Sequence, residues 1–226
     1  MSTRKRVEKI ITEKSNLQNL KGYVSSNQDN LIKDVTMDLF QTDLNSGSGN
    51  ELKNKFNAIF SSSAMAVNNF ALIKKLSTFE FLGHKNFNKI AFERQFRTGL
   101  KGTPPNLDFV LDNEKVIIGF ESKYLELLAK KEVNFKKSYN KANLNYLDKF
   151  WFELIEQYNS TKSHLDIAQL VKHSIGMINQ AKNEKLILVY IFWTPKNKNE
   201  YPEYKIHQEE LDIFSNKMKN QKDIDS

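Results

Sequence analysis

Hydrophobic and polar positions follow two different periods along the chain, and the changes of period divide it into segments. Apolar residues recur at helical spacing over residues 3–44, which predicts two helices, and again from residue 51. Three short runs rich in β-branched and aromatic residues follow at 89–97, 106–111 and 116–123, separated by turn residues. These runs predict three strands.

The second half of the chain returns to the helical period before one more strand. Residues 124–157 are charged and aromatic and predict a helical segment, and residues 164–182 have the apolar stripe of an amphipathic helix. Residues 186–194 are almost wholly apolar, as is typical of a central strand covered on both faces. A last helix is predicted over residues 207–218. The order of helix, three strands, helix and strand predicts an α/β fold with a mixed sheet flanked by helices.

The same pattern predicts how the chain is organised. Residues 1–45 are predicted to form an N-terminal helical extension. Residues 46–50 predict a flexible break, because glycine and serine favour neither helix nor strand. Residues 51–195 are predicted to form the core, with a basic helical insertion at residues 124–160. Residues 196–226 predict a C-terminal helical tail.

Composition narrows the classes of function. Hydrophobic residues make up 39% and charged residues 27%, as in globular chains. No apolar run reaches membrane-spanning length and the N-terminus lacks the apolar core of a secretory signal, so we expect no membrane and a cytoplasmic location. The absence of cysteine excludes disulfides, thiolate metal sites and cysteine nucleophiles. The formal charge of +7 suits a polyanionic partner without choosing between DNA and RNA.

Two acids and a lysine lie on the second and third predicted strands. If a tight hairpin turns at residues 113–114, Asp108 lies opposite Gly119. Side chains alternate faces along a strand, so Glu121 and Lys123 share the face of Asp108, and the two acids are diagonal neighbours roughly 7–8 Å apart. Two carboxylates beside an ammonium repel each other unless a hard cation joins them, and such oxygen ligands suit Mg²⁺.

The sequence around these residues resembles the motif of the PD-(D/E)XK nucleases. The string PPNLDFVL at residues 104–111 supplies Asp108 as the first acid, and VIIGFESK at residues 116–123 supplies Glu121 and Lys123 as the E-x-K. The residue before Asp108 is leucine rather than proline, at a position that varies across the superfamily. Together with SSAMAVNNF upstream and FESKYLE downstream, the pattern is similar to a bacterial family of type II restriction endonucleases, over about residues 61–194.

This resemblance implies a Mg²⁺-dependent endonuclease that hydrolyses phosphodiester bonds of double-stranded DNA, with Mn²⁺ as a substitute metal. The metal would polarise a phosphodiester and acidify a water, while the lysine orients that water or offsets the developing charge. Cleavage at symmetric sites would favour a homodimer. Two alternatives stay open: a repair or recombination nuclease on structured DNA, and a non-catalytic DNA-binding protein on a nuclease fold.

Further candidates lie before and after the hairpin. Glu93 stands where the superfamily often has a metal-site glutamate, but a solvated charge paired with an arginine explains it equally well. Gln169, Lys172 and His173 share one face of a predicted helix that the resemblance places behind the metal site. Gln169 is interpreted as a site residue and His173 as a partly buried, hydrogen-bonded structural residue, whereas Lys172 stays open between DNA contact and solvated charge.

A basic stretch with interleaved aromatic residues follows the hairpin, and we expect it to hold DNA phosphates, although each single lysine is equally well explained as solvated. The predicted catalytic residues are Asp108, Glu121, Lys123 and Gln169. The predicted metal ligands are Asp108, Glu121 and Glu93. The predicted DNA-binding residues are Lys130, Lys131, Lys136, Lys137, Lys141 and Lys172.

Overall fold

The computed structural model describes residues 1–15, 21–47, 51–219 and 221–225. Over these residues the α-helices are α1 (Thr3–Lys14), α2 (Gln41–Ser46), α3 (Glu51–Asn54), α4 (Ser62–Phe70), α5 (Lys149–Tyr158), α6 (Ile167–Gln180) and α7 (Pro202–Met218). The strands are β1 (Glu80–Phe81), β2 (His84–Lys85), β3 (Lys89–Gln95), β4 (Asn106–Asp112), β5 (Val116–Lys123), β6 (Lys131–Glu132), β7 (Lys162–Ser163) and β8 (Lys185–Phe192).

A mixed four-stranded sheet lies at the centre, in the order β3-β4-β5-β8. The first three strands are antiparallel neighbours, and β8 is parallel to β5. A parallel neighbour requires a crossover connection, which α5 and α6 supply. The predicted fold class, an α/β domain with a mixed sheet flanked by helices, is confirmed.

Both faces of the sheet are covered. On one face, Val110, Ile117 and Leu186 pack in a cluster with residues of α5, α6 and α7. On the other face, aromatic residues of β4 and β5 pack against α4, where the Phe70 and Phe109 rings stack with centroids 4.6 Å apart. This two-sided burial explains why β5 and β8 read as nearly continuous apolar runs.

Glycine determines how closely α6 approaches the sheet. A Cβ atom at Gly176 would lie 2.4 Å from the carbonyl oxygen of Phe96, and one at Gly119 would lie 3.2 Å from Sδ of Met177 in α6. Real Cβ atoms do not come within 2.4 Å of a backbone atom, so position 176 requires glycine for this packing, and at position 119 a side chain would make a tight contact with the helix. The helix is thereby held against the end of β3 and against β5, which carries the candidate site.

Two stretches predicted to be helical are mostly not helical. Between α1 and α2, the described residues form only short 3-10 turns at Asn27–Asn30 and Met37–Leu39. Residues 124–160 contain a 3-10 turn at Glu126–Leu128, the two-residue strand β6 and, only from Lys149, the helix α5. The Oδ1 atom of Asn140 accepts a hydrogen bond from a nearby backbone N–H, and such local bonds compete with helix formation.

The two ends of the chain pack on the core. Val7 of α1 is buried in one cluster with Leu125 and Tyr204, and Ile224 lies in the main core. Of the predicted flexible break, residues 48–50 lie outside the described residues. Gly47 is described, and a Cβ atom there would lie 2.9 Å from that of Glu93, so its small size serves packing. In the part of the chain that the structure describes, no helix is long and apolar enough to cross a membrane.

Candidate active site

One cleft of about 460 Å³ brings together the predicted catalytic residues and Glu93. It opens where β3, β4 and β5 meet the first turn of α6 and the helices α3 and α4. Its lining consists of Glu51, Lys55, Ser62, Ser63, Glu93, Pro104, Asn106, Asp108, Glu121, Ser122, Lys123, Glu126 and Gln169.

The hairpin between β4 and β5 turns one residue later than predicted. Val110, rather than Asp108, pairs with Gly119, because the side-chain oxygen of Asn113 accepts hydrogen bonds from the N–H groups of residues 115 and 116 and moves the turn along the chain. Continuing the observed register places Asp108 directly opposite Glu121 instead of diagonal to it. A register shift of two residues leaves every side chain on its predicted face, so the acids still converge.

Glu121 and Lys123 form the buried centre of the cleft. The Oε1 atom of Glu121 lies 2.5 Å from the Lys123 ammonium, and its Oε2 atom lies 2.8 Å from Nε2 of His173. The ammonium also donates a hydrogen bond of 2.6 Å to the side-chain oxygen of Gln169. Burial would raise the pKa of Glu121, but Lys123 and His173 outweigh it and lower that pKa. Glu121 is therefore held as a carboxylate.

Neighbouring carboxylates likewise keep Lys123 in its charged form. Burial would lower the pKa of its ammonium, but the adjacent charges of Glu121 and Asp108 outweigh this effect and raise the pKa. Since Gln169 and Glu121 hold the ammonium from two sides, its position in the cleft is fixed. His173, interpreted from the sequence as a partly buried structural residue, is fully buried and contacts Glu121.

Asp108 lies in a less favourable environment. Its Oδ2 atom accepts a hydrogen bond of 2.6 Å from the backbone N–H of Ser122. Burial, followed by the negative charges of Glu121 and Glu93, raises the pKa of Asp108 well above its usual range. The cleft thus holds more carboxylates than its cations neutralise.

Glu93 has both a strained backbone and a buried carboxylate. Its φ angle of 50° lies in the left-handed region, which a non-glycine residue in a strand rarely adopts. The flanking pairs Phe92–Phe109 and Arg94–Leu107 place it opposite Asp108. Its Oε2 atom accepts a hydrogen bond from Asn106, and burial raises its pKa to about 7.

The surroundings of Glu93 bear on its two interpretations. The neighbouring Arg94 pairs with Asp112 at 2.8 Å, and Glu93 lines the cleft. Left-handed strain and carboxylate burial each reduce stability, and such unfavourable features accumulate at functional sites. The role of Glu93 as a metal ligand stays a prediction.

Glu51 of α3 is a cleft residue that the sequence did not reveal. Its carboxylate contacts the Lys55 ammonium at 2.9 Å and accepts a hydrogen bond of 3.1 Å from Ser63. Its negative charge contributes to raising the pKa of Glu93. No local motif marks this residue, because only tertiary packing brings α3 to the sheet.

The predicted DNA-binding lysines do not all line the same cavity. Lys136 and Lys172 line a second cavity beside the cleft, while Lys131 forms an ion pair with Asp166 at 2.9 Å. Three others are solvent-exposed and lie outside both the cleft and this second cavity, namely Lys130, Lys137 and Lys141.

Metal binding has to be judged from the donor atoms. Among the described residues, no group of three or more His, Cys, Asp or Glu side chains is arranged so that it could hold a metal ion by itself. Asp108 and Glu93 could supply oxygen ligands. Glu121 lies beside them, but its two oxygens already contact Lys123 and His173. The oxygen ligands of Asp108 and Glu93, whose pKa values are raised, fit a hard divalent cation, because the cation would offset the repulsion between carboxylates.

A mixed sheet that gathers acids, a lysine and a glutamine in one cleft is consistent with a nuclease-like α/β fold. The chain belongs to the family described as restriction endonuclease associating with ARP, whose model matches residues 5–221. No curated protein and no solved structure gives a match. The match confirms the predicted relationship to a family of restriction endonucleases and extends it over nearly the whole chain.

Proposed function

We propose that this protein is a Mg²⁺-dependent endonuclease that cuts double-stranded DNA through a site of the PD-(D/E)XK type. The supporting observation is the Lys123 ammonium, which Glu121 and Gln169 hold in a cleft shared with Asp108 and Glu93. Membership in a restriction endonuclease family supports DNA as the substrate.

Each residue has a distinct role in this proposal. When bound, Mg²⁺ supplies Lewis acidity and a water of lowered pKa. Asp108 and Glu93 provide oxygen ligands, and Glu121 both supports that set and orients Lys123. The Lys123 ammonium aligns the attacking water or offsets the negative charge that develops on the phosphate. Gln169 positions the ammonium through its 2.6 Å hydrogen bond.

The carboxylates also argue against a protein that only binds DNA. Five acids line this cleft and would repel a phosphate backbone, and the burial of such groups lowers stability without improving affinity. A catalytic site accounts for this arrangement, because the same acids can bind a divalent cation that lies between them and the phosphate.

Cleavage of plasmid DNA tests the proposal. We expect fragments with Mg²⁺ or Mn²⁺ and none with EDTA. Asp108→Asn should lose cleavage together with metal affinity, whereas Lys123→Ala should lose cleavage but still bind metal. Glu132→Gln, at an exposed position in β6, serves as the control and should cut normally.

Two outcomes would contradict the proposal. One is undiminished cutting in EDTA, which would exclude a metal-dependent site. The other is wild-type cleavage by folded Asp108→Asn and Lys123→Ala variants. Discrete fragments from ordinary duplex would support a restriction activity, whereas cleavage of branched or damaged DNA alone would indicate a repair nuclease.

The family description also concerns partners. It names association with ARP, and we propose that this chain forms the same association. Co-purification of the two proteins from a strain that expresses both is the direct test. For cutting both strands of a symmetric site we propose a homodimer, which sedimentation in the presence of DNA would detect.

A further inference from the structure

A second cavity, of about 450 Å³, lies beside the carboxylate cleft and has no part in the proposed chemistry. Pro104 lines both, so the two are immediate neighbours. The lining residues come from the connection between β3 and β4, from the segment before α5, and from α6. They are Arg97, Thr98, Leu100, Lys101, Gly102, Thr103, Pro104, Lys136, Ser138, Tyr139 and Lys172.

The cavity is strongly basic. Four of these lining residues are cationic, and none of them is Asp or Glu. Within the described part of the chain, no salt bridge involves the side chains of Arg97, Lys101, Lys136 or Lys172. Four hydroxyl-bearing residues, Thr98, Thr103, Ser138 and Tyr139, add polar groups. The carboxylate cleft beside it is lined by more acidic than basic residues.

The backbone that carries Arg97 is fixed from two directions. Its carbonyl accepts a hydrogen bond of 2.8 Å from Asn179, and its N–H donates one of 3.1 Å to Gln180, both near the end of α6. The next carbonyl, of Thr98, accepts a hydrogen bond of 2.8 Å from the Tyr146 hydroxyl. The cavity wall is therefore anchored rather than formed by a loose loop.

Lys172 is the least exposed of the four cations. Its ammonium lies 5.4 Å from the ring centroid of Phe135 and 5.8 Å from that of Tyr139, and it donates a hydrogen bond to the Asn134 carbonyl. Burial lowers its pKa, the charge of Asp166 offsets part of this effect, and the charge of Lys136 lowers the pKa further. A bound anion would act in the same direction as Asp166.

We infer that this cavity is a subsite for a backbone phosphate of the DNA strand, adjacent to the phosphate that is cut. The inference rests on the proposed function, since only a polynucleotide presents a second phosphate beside the scissile one. Phosphate contacts fix the register of a protein on DNA, and an anchored cationic cavity next to the carboxylates suits that purpose. Arg97 and Lys101, which the sequence did not single out, belong to this subsite.

Binding of a duplex oligonucleotide in EDTA, followed by fluorescence anisotropy over a range of salt concentrations, tests the subsite. We compare Arg97→Ala/Lys136→Ala with Lys205→Ala/Lys219→Ala, which removes the same charge at exposed positions outside the cavity. Loss of one phosphate contact should reduce the slope of log K against log salt by about one unit and weaken binding about tenfold near 0.1 M salt. The control pair should retain the wild-type slope.

A third variant, Lys172→Met, keeps an apolar stem against the two rings and should weaken binding in the same sense. In cleavage assays, the cavity variants should raise KM more than they lower kcat. Equal effects of the cavity pair and the control pair would overturn the inference, because they would indicate a uniformly basic surface. If wild-type protein binds DNA with the cavity-dependent slope but never cuts it, the proposed function fails while the subsite stands.

Discussion

Replacing Glu93 by glutamine should make the folded protein more stable while reducing its activity. Glutamine keeps the shape of the side chain, and its amide oxygen can still accept the hydrogen bond from Asn106. The change removes only the ionisation of a buried carboxylate whose pKa is raised, chiefly by burial, from 4.5 to about 7.

The size of the effect follows from this pKa. The folded protein retains a proton that the unfolded chain releases, so the contribution of Glu93 to stability is complete below about pH 4.5 and is lost as the pH rises through about 7. Each pKa unit corresponds to about 1.4 kcal/mol, so the full shift is worth about 3 kcal/mol. Near pH 8 the variant should exceed the wild type in free energy of unfolding by up to about this amount.

Urea unfolding in EDTA at a series of pH values measures this difference. The wild type should lose stability between pH 4.5 and about 7, and Glu93→Gln should lose less over the same range. Glu132→Gln, at an exposed strand position, should follow the wild type. If the Glu93 variant keeps the wild-type pH dependence and gains no stability near pH 8, the carboxylate is not held in an unfavourable state and the reasoning is refuted.

Two further substitutions test the packing around the site. Glu121→Gln should destabilise the protein by about 3 kcal/mol, because it leaves the buried Lys123 ammonium without its charged partner. Urea unfolding measures this loss, and unchanged stability would contradict a buried ion pair. Gly176→Ala should lower the stability of the folded protein by about 1–3 kcal/mol, because the added methyl would lie 2.4 Å from the Phe96 carbonyl oxygen. Thermal unfolding measures this loss, and an unchanged midpoint would show that α6 is free to move away.

The sheet could be predicted from the sequence because its signal is local. The runs at residues 106–111, 116–123 and 186–194 match β4, β5 and β8 to within two residues at each end, since buried strands require apolar runs and turn residues end them. The convergence of Asp108 with Glu121 and Lys123 followed from strand alternation and an assumed tight hairpin. The predicted register was wrong, but a register shift of two residues leaves each side chain on the same face of the sheet.

Features that depend on tertiary contact were not predictable in this way. Glu51 reaches the cleft only because α3 packs beside β3, and Arg97 and Lys101 line the second cavity only because the loop that carries them is tied to α6. The mixture of charged and aromatic residues over 124–160 suggested helix, yet most of that segment is irregular. Its apolar residues are buried by packing on the core rather than along one helical stripe.

Helix α6 fixes the spacing between residues of the cleft and of the basic cavity. Gln169 contacts the lysine of the cleft, Lys172 lines the basic cavity, and His173 contacts Glu121, all within about one turn. A helix rises about 1.5 Å and turns about 100° per residue, so its regular geometry sets the spacing between the proposed cleavage site and the proposed phosphate subsite. Inserting one residue between Gln169 and Lys172 would turn Lys172 away from its cavity. In the proposed function, the length of this single turn therefore links the position of the hydrolysed bond to that of the neighbouring phosphate.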